Sequence, residues 1–352
     1  MFSKLLVIDA STVLAGPSVG TFFAELGAQV VKVENPTIHD VTRSWKLPSE
    51  DKDSLISAYF SSVNYGKKYI QLDLKNELDY HKFIELIKVA DVLITNFKKG
   101  DEQKLNIEDS TLRKNNKGLI IGKVNGFGID SDRVAYDLIL QAETGFMSMN
   151  GTAESGPVKM PVALIDVLAA HQLKEGLLLA MLDKKETGIG RTITVSLYDA
   201  AVSSLVNQAS NYLMNQHIPQ RIGSLHPNIA PYGELFETKD QDLITFAIGS
   251  DVHFGKLCEF LGLVKLVKDN KYNSNQSRVL NRIELQKILQ DKISSIPTNE
   301  LLNAMLAMNV PAGKVKNLAE VFEDQNVKER ILSESIAGSE TKRVSSIAFT
   351  WK

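Results

Sequence analysis

"KLLVIDASTVLAGPSVGTFFAELGAQVVKVEN", residues 4–35, decides the fold class of this chain. It begins with a short apolar run that predicts a buried strand, and it ends with the β-branched run "QVVKVEN", which predicts a second strand. The "GPSVGTFFAELGA" segment between them predicts a helix, since Pro17 stands near its start and Gly27 near its end. A strand–helix–strand unit of this kind indicates a parallel α/β sheet.

The alternation of predicted strands and helices continues to about residue 150. "KYIQLDL" and "DVLITNF" predict strands, and "NELDYHKFIELIKVA" between them predicts an amphipathic helix. Further along, "VLAAHQLKEGLLLAMLDKKETG" predicts a long helix that ends at Gly188. In outline this is a doubly wound sheet.

The turn-rich stretch "IPQRIGSLHPNIAPYG" contains three prolines and predicts a linker between two domains. The sequence therefore predicts a large α/β domain over residues 1–215, a linker over 216–232 and a smaller α+β domain over 233–324. The C-terminal "VSSIAFTWK", residues 344–352, predicts a strand that returns to the main body.

Composition excludes several classes of protein. The 352 residues carry a formal net charge of -2, so no basic excess indicates a nucleic-acid partner. The apolar runs are too short to span a bilayer, and the N-terminus lacks the pattern of a signal peptide. The single cysteine, Cys258, cannot form an internal disulfide and predicts a packed apolar side chain. We expect a cytoplasmic protein without a membrane partner.

Motifs for metals and permanently bound cofactors are missing from the sequence. The six histidines have no ligand spacing, and neither HExxH nor CxxC occurs. The first turn, "DASTVLAGPSVG", lacks the GxGxxG of dinucleotide-binding proteins, and no P-loop or GxSxG motif occurs either. We therefore predict no metal and no permanent cofactor, although the helix start near Gly16 could still bind an anion.

Asp166 stands out in "PVALIDVLAAHQ", residues 161–172, because its neighbours on both sides are apolar. A carboxylate is rarely buried without a partner. One interpretation is an N-cap that accepts hydrogen bonds from the first helical amides. The other is a nucleophile or base in the crevice where α/β proteins bind their ligands. The residues alone leave both open.

The segment "VLAGPSVGTFFAELGAQVVKVENP" resembles the opening of the family III CoA-transferases. The resemblance continues through "NYGKKYIQLDLK", "ADVLITNFKKG", "AYDLILQAETGFMSMNG" and the long segment that contains Asp166, and then through "HPNIAPYG" and "VPAGKV". It covers nearly the whole chain in order. This superfamily also contains the α-methylacyl-CoA racemases.

The resemblance implies a fold and an assembly. The large domain is expected to be Rossmann-like and built from both ends of the chain, with residues 325–352 completing residues 1–215. The smaller α+β domain is inserted between these parts. Two chains are expected to form a homodimer of interlocked rings.

The resemblance also implies a reaction in which CoA is a substrate and not a resident cofactor. Asp166 matches the family's nucleophilic aspartate, which attacks an acyl-CoA thioester to give a mixed anhydride and then an aspartyl-CoA thioester. A small carboxylic acid collects the CoA. The identity of the acyl donor and of the acceptor acid stays open.

Further site residues follow from matching positions. Asn35 stands where a basic residue often contacts the nucleotide, Arg43 is a nearby candidate, and Lys104 falls near an expected arginine. The full set of expected CoA contacts is Val13, Leu14, Ala15, Gly16, Asn35, Arg43, Leu72, Lys75, Asn96, Phe97, Lys98, Lys104 and Asp137.

Tyr136 and Gly249 are the expected contacts of the acyl group or acid. Racemases have a histidine where this chain has Tyr136, and tyrosine is a poor proton carrier at neutral pH, so a transferase is favoured over a racemase. Gly249 stands alone where formyl-CoA transferases have a glycine-rich loop, which argues against a specialist for oxalate or formate. The alternatives are an acyl-CoA racemase and a CoA-binding relative without turnover.

Overall fold

Six parallel strands form the largest sheet in a computed structural model, which describes residues 2–350. Numbered along the chain, the strands of all the sheets are β1 Leu6–Asp9, β2 Gln29–Glu34, β3 Lys67–Gln71, β4 Val92–Thr95, β5 Ile120–Asn125, β6 Gly151–Thr152, β7 Gly156–Pro157, β8 Thr192–Ser196, β9 Tyr232–Glu237, β10 Leu243–Ala247, β11 Ala312–Lys314, β12 Ile331–Ile336 and β13 Ser339–Val344.

Helices connect most of these strands, and two short 3₁₀ helices lie at Val41–Ser44 and Val264–Lys268. The α-helices are α1 Ala15–Glu25, α2 Ala58–Ser62, α3 Glu77–Val89, α4 Asp101–Lys104, α5 Asp109–Asn115, α6 Asp137–Glu143, α7 Phe146–Met149, α8 Leu164–Thr187, α9 Leu197–Ser203, α10 Val206–Asn215, α11 Asp251–Phe260, α12 Asn275–Leu280, α13 Arg282–Ile293, α14 Thr298–Ala307, α15 Leu318–Glu323 and α16 Gln325–Lys328. No helix within residues 2–350 has both the length and the apolar character needed to cross a membrane.

The large sheet has the strand order β3-β2-β1-β4-β5-β8, and all of its neighbouring strands run parallel. The direction of winding reverses between β1 and β4. In such a sheet a crevice opens at the carboxyl ends of these two strands, and ligands bind there. The prediction of a parallel α/β fold is confirmed, and the first loops to consider are those after β1 and β4.

Helices cover both faces of this sheet because side chains alternate along each strand. Val7 of β1 packs with Phe23 of α1 and Leu173 of α8 in one buried cluster. Ile8 packs on the opposite face with Phe83 of α3. All of these side chains are fully buried, and burial of each stabilises the fold by roughly 1.5–3 kcal/mol.

The chain divides into two compact units. The first reaches Ser148, resumes over Lys159–Pro219 and includes the chain from Glu329 onward; the second contains Met149–Val158 and Gln220–Lys328. The predicted boundaries had given residues 149–158 to the large domain. In the structure this segment is the β6–β7 hairpin and belongs to the second unit.

The second unit contains an antiparallel sheet of order β11-β10-β9. Phe246 of β10, Leu257 of α11 and Leu289 of α13 share its buried core. Cys258 is fully buried in the same cluster, as the sequence predicted, and burial raises the pKa of its thiol to about 12.

The end of the chain differs from the predicted strand over 344–352. Strands β12 and β13 pair with each other as an antiparallel hairpin, and only Val344 of the predicted segment is in a strand. Residues 345–350 are irregular, and residues 351 and 352 lie outside the described part. Ser345 and Ser346 instead donate hydrogen bonds to Glu25 on α1, within the first unit.

Candidate active site

The loops that follow β1 and β4 meet at the crevice where the sheet reverses. The Asn96 side chain joins them, because its Oδ1 accepts the Thr12 N–H at 3.0 Å and its Nδ2 donates to the Thr12 carbonyl at 2.8 Å. This reciprocal pair fixes the first residues of both loops relative to each other.

The β1 loop contains a strained residue. Val13 has φ 72°, in the left-handed region that β-branched residues rarely adopt, and such a conformation costs of order 1–3 kcal/mol. Its N–H donates to Asp40 Oδ2 at 3.1 Å. Asp40 is itself paired at 3.3 Å with Lys32 Nζ, and both side chains are completely buried. A buried ion pair therefore holds the strained turn in place.

A second buried pair supports the same loop from below. Lys67 Nζ lies 2.7 Å from Asp9 Oδ2, and Asp9 Oδ1 accepts the Ser11 N–H at 3.0 Å. Burial alone would raise the pKa of Asp9, but the neighbouring Lys67 and Lys32 bring it down to about 2. Gly16 packs tightly on this turn, since a Cβ there would lie 2.3 Å from Ser11 Oγ.

Asp166 is the third residue of α8 and does not cap it. The N-cap position is Ala163, and the Ile165 N–H donates to Asp137 Oδ1 at 2.7 Å. The N-cap interpretation of Asp166 is therefore wrong. A carboxylate from another helix, α6, caps α8 instead, which leaves the Asp166 side chain free of that task.

Asp166 is only 8% exposed, and its carboxyl group accepts no hydrogen bond from any residue within 2–350. Burial, and next the charge of Asp137, raise its pKa from 3.8 to about 7. A buried carboxylate without a partner is uncommon in a structural role, and such perturbed groups cluster at functional sites.

Two cavities meet at Asp166. One has a volume of about 230 Å³ and the other of about 440 Å³, and Val13, Leu14, Tyr136 and Asp166 line both. The smaller cavity continues along the carboxyl ends of β4 and β5. Its lining includes Ala15, Asn96, Phe97 and Lys98.

The larger cavity at Asp166 has aromatic walls. Trp45 makes an edge contact with Tyr59, with ring centroids 5.1 Å apart, and is tilted against Tyr136 at 6.5 Å. Burial, followed by the charges of Asp166 and Asp137, raises the pKa of Tyr59 to about 12. The Tyr59 phenol is therefore a neutral hydrogen-bond donor at physiological pH.

A third cavity of about 480 Å³ lies over the carboxyl ends of β1, β2 and β3, and shares Thr12 and Phe97 with the smaller cavity at Asp166. The three cavities are therefore neighbours at the carboxyl ends of the strands, each sharing lining residues with the next. Of the expected CoA contacts, it is lined by Asn35, Leu72, Lys75, Phe97 and Lys104.

Three predicted residues do not line these cavities. Gly16 is buried beneath the β1 loop. The Arg43 guanidinium pairs with Glu34 and lies 3.7 Å above the Phe60 ring, so its hydrogen bonds are used within the protein. Gly249 is exposed and belongs to the second unit.

Sequence reasoning missed Trp45, Tyr59 and Lys159, which all line the larger cavity at Asp166. None has a local signal, because each stands in or beside a segment without clear periodicity and reaches the site only through the tertiary fold. In the part of the chain that the structure describes, no group of His, Cys, Asp and Glu side chains could hold a metal ion.

The chain is similar to known proteins over nearly its whole length. The family model described as CoA-transferase family III matches residues 2–352. A succinate–glutarate CoA-transferase from Agrobacterium fabrum is 36% identical over 93% of this chain and 83% of its own length. A succinyl-CoA:mesaconate CoA-transferase from Haloarcula hispanica is 33% identical over 93% of this chain and 83% of its own.

A solved structure has the same fold. The crystal structure of a CAIB/BAIF family protein from Brucella suis has a TM-score of 0.84 and 33% sequence identity, covering 98% of this chain and 92% of that chain. The resemblance found in the sequence is thereby confirmed, and with it the prediction of a transferase. The chain belongs to the CoA-transferase family III.

Proposed function

We propose that this chain moves CoA from an acyl-CoA donor to a carboxylic acid, with Asp166 as the covalent nucleophile. The observation that carries the proposal is the position of Asp166: a buried, unpaired carboxyl group where two cavities meet. Covalent catalysis on a carboxylate suits this exchange, because donor and acceptor acids are chemically alike and neither a redox step nor water is needed.

The first half of the reaction forms an enzyme-bound thioester. An Asp166 oxygen attacks the carbonyl carbon of the donor thioester, the C–S bond breaks, and CoA leaves as a thiolate. The thiolate then attacks the Asp166 carbonyl carbon of the mixed anhydride. The donor acid leaves as a carboxylate, and Asp166 holds CoA as a thioester.

The second half reverses these steps with the acceptor. The acceptor carboxylate attacks the Asp166 carbonyl carbon and displaces the thiolate, which gives a new anhydride. The thiolate attacks the acceptor's acyl carbon, and the Asp166 carboxylate is regenerated. No atom is gained from solvent, and no cofactor takes part.

The surroundings of Asp166 support this role. A carboxylate with a raised pKa is more basic than an exposed one and therefore more nucleophilic once it is ionised. The start of α1 has no side-chain cap, and Ala15 lines the 230 Å³ cavity together with Asp166, so the Ala15 amide and the positive end of the helix dipole are available to a developing oxyanion.

CoA would lie along the three neighbouring cavities. The nucleotide would occupy the 480 Å³ cavity near Asn35, Lys75 and Lys104, and the pantetheine arm would pass Asn96 and Lys98 in the 230 Å³ cavity. The acyl group and the acid would occupy the 440 Å³ cavity beside Tyr136 and Asp137.

The three expected contacts that do not line these cavities are Gly16, Arg43 and Gly249. Gly16 would act by letting the β1 loop close, and Arg43 by fixing Glu34. For Gly249, in the second unit, contact with the acyl group or the acid stays a prediction.

Dicarboxylic acids are the substrate class that we propose. The two relatives above are named for succinate, glutarate, succinyl-CoA and mesaconate; succinate, glutarate and mesaconate each have two carboxyl groups, and succinyl-CoA is a thioester of succinate that keeps one. The 440 Å³ cavity is large enough for a small acid of this kind.

We also propose that the enzyme is an interlocked homodimer. Helix α10 supports a covering partner, because none of its residues is buried although Val206, Leu213 and Met214 are 70%, 73% and 80% exposed. Isolated exposed apolar residues are ordinary, whereas a contiguous apolar helix face is typical of an interface.

The test of the mechanism is Asp166→Asn. An amide cannot form the anhydride, so transfer from succinyl-CoA to glutarate should fall by several orders of magnitude while CoA binding is kept. With donor present, hydroxylamine should convert Asp166 of the wild type to a hydroxamate that mass spectrometry detects in its peptide. Transfer at near wild-type rates by the Asn variant, with deamidation excluded, would show that Asp166 is not the nucleophile.

A further inference from the structure

The charges of the 440 Å³ cavity are the starting point for a specificity residue. Two carboxyl groups, Asp137 and Asp166, line it together with a single cation, Lys159. The rest of the lining is aromatic, aliphatic or proline. An acid substrate enters as an anion and meets two carboxyl groups, so binding there requires a compensating positive charge.

The Lys159 ammonium group can supply this positive charge. Its Nζ donates only to the Met160 carbonyl, at 3.3 Å, and no carboxylate of residues 2–350 pairs with it. The arginines near the site are already engaged: Arg43 pairs with Glu34, and Arg133 pairs with Glu143. Lys159 is therefore the cation at the acid-binding end of the site that lacks an anionic partner.

We infer that Lys159 recognises the second carboxylate of a dicarboxylic acid while the first carboxylate reacts at Asp166. The inference rests on the proposed function and adds the residue that selects the substrate class. A lysine is a compact charge on a flexible stem, whereas an arginine fork imposes a fixed geometry. Lys159 would therefore accept acids that differ by one methylene, such as succinate and glutarate.

The expected size of the effect follows from the setting. A fully exposed ion pair contributes little, but the aromatic walls and a bound substrate would exclude part of the water around this one. Hydrogen bonds to charged groups then count for more, and we expect a loss of roughly 10–100-fold in kcat/KM for a dicarboxylate when the cation is removed.

The experiment compares two acceptors of equal length, glutarate and pentanoate, with succinyl-CoA as the fixed donor. In a ping-pong reaction, kcat/KM for the acceptor reports only its encounter with the enzyme-bound thioester, so an effect on the donor does not enter. Lys159→Met should lower kcat/KM for glutarate by about 10–100-fold and leave pentanoate within about threefold. Lys159→Arg should retain part of the preference for glutarate.

Lys185→Met is the matched control, because it removes an exposed lysine from the last turn of α8, away from the cavities. It should leave both acceptors unchanged. The inference would be overturned if Lys159→Met left the ratio of kcat/KM for glutarate to that for pentanoate unaltered, whether both values stayed the same or both fell equally. Hydroxamate formation at Asp166 should persist in Lys159→Met; its absence from the wild type would instead overturn the proposed mechanism and this inference with it.

Discussion

The Asp166 carboxylate lies where its charge is disfavoured by burial and by the charge of Asp137. Its pKa of about 7 in the folded protein, against 3.8 for an ordinary aspartate, implies a pH-dependent cost to folding. Below pH 3.8 the group is protonated in both states. As the pH rises from 3.8 to about 7, the unfolded chain releases a proton that the folded protein retains, so the free energy of unfolding falls.

Asp166→Asn removes this cost, and its effect on stability should therefore grow with pH. The pKa shift corresponds to on the order of 4 kcal/mol above pH 7, from which the burial of an unpaired amide subtracts. We expect a stability gain of about 1–3 kcal/mol at pH 8 and almost none at pH 4. Urea unfolding at pH 4, 6 and 8 measures it.

Asp53→Asn, at an exposed carboxylate, is the control and should show no such trend. A gain for Asp166→Asn that shrinks as the pH rises would contradict the assigned environment. On the expected result, Asp166→Asn is less active but more stable than the wild type, which is the usual relation where a residue serves activity at the expense of stability.

Residue by residue, the sequence singled out Asp166, the proposed nucleophile, but not its surroundings. Asp166 is recognisable because an acidic residue interrupts an apolar run and matches a family position. Asp137 stands 29 residues earlier, and nothing in the local pattern indicates that it caps α8. Tyr59 and Lys159 are likewise placed by folding and not by spacing, so sequence reasoning could not connect them with the site.

At the scale of elements, the β1–α1 loop depends on small side chains. A Cβ on Gly16 would come within 2.3 Å of Ser11 Oγ and 2.4 Å of Ser11 Cβ, so the loop would have to move. Gly16→Ala should cost about 1–3 kcal/mol of stability and weaken acyl-CoA binding.

A second substitution should relieve this clash, because both of the close atoms belong to the Ser11 side chain. The double variant Ser11→Gly with Gly16→Ala should recover roughly 1 kcal/mol relative to additive single effects, measured in a double-mutant cycle by urea unfolding. Gly255→Ala, where a Cβ would meet nothing within 4 Å, is the control and should be neutral or stabilising. Strict additivity of the two substitutions would show that Gly16 and Ser11 do not constrain each other.

Element boundaries were predictable where a local signal exists. Helix α8 ends at Gly188, with φ 71°, as the Lys-Lys-Glu-Thr-Gly pattern predicts. Its start was predicted three residues too late, at Val167, because the cap comes from α6 and leaves no local trace. The final strand was also misplaced: "VSSIAFTWK" was predicted to be a strand, but Ser345, Ser346 and Ile347 of this segment donate hydrogen bonds to Glu25.

For the whole molecule, the sequence predicted that the strands run parallel but not the order in which they lie in the sheet. Repeated strand–helix units indicated a parallel sheet, while the reversal between β1 and β4 is a long-range property. The hairpin over 149–158 belongs to the second unit although, in the sequence, segments of the first unit precede and follow it. Periodicity within a segment carries no information about which unit that segment joins.

The proposed dimer has a direct test. Light scattering should give twice the 38.9 kDa of the chain, and the mass should hold on dilution because interlocked rings separate only by unfolding. Leu213→Glu on the exposed face of α10 should lower the yield of folded protein by opposing assembly, while Lys185→Glu should not. A mass that falls toward 38.9 kDa on dilution would exclude interlocking.

The contact between Glu25 and the C-terminal segment has a consequence for how the chain folds during synthesis. Glu25 is almost fully buried and is paired with Arg343, 318 residues later. At ~5–20 residues per second, a ribosome takes on the order of half a minute to supply that partner after the first helix has emerged. Until then the nascent α1 carries a carboxylate that it cannot bury at low cost. The first unit therefore cannot reach its final form before Arg343 has been synthesised, and until then the incomplete product is exposed to proteases and chaperones.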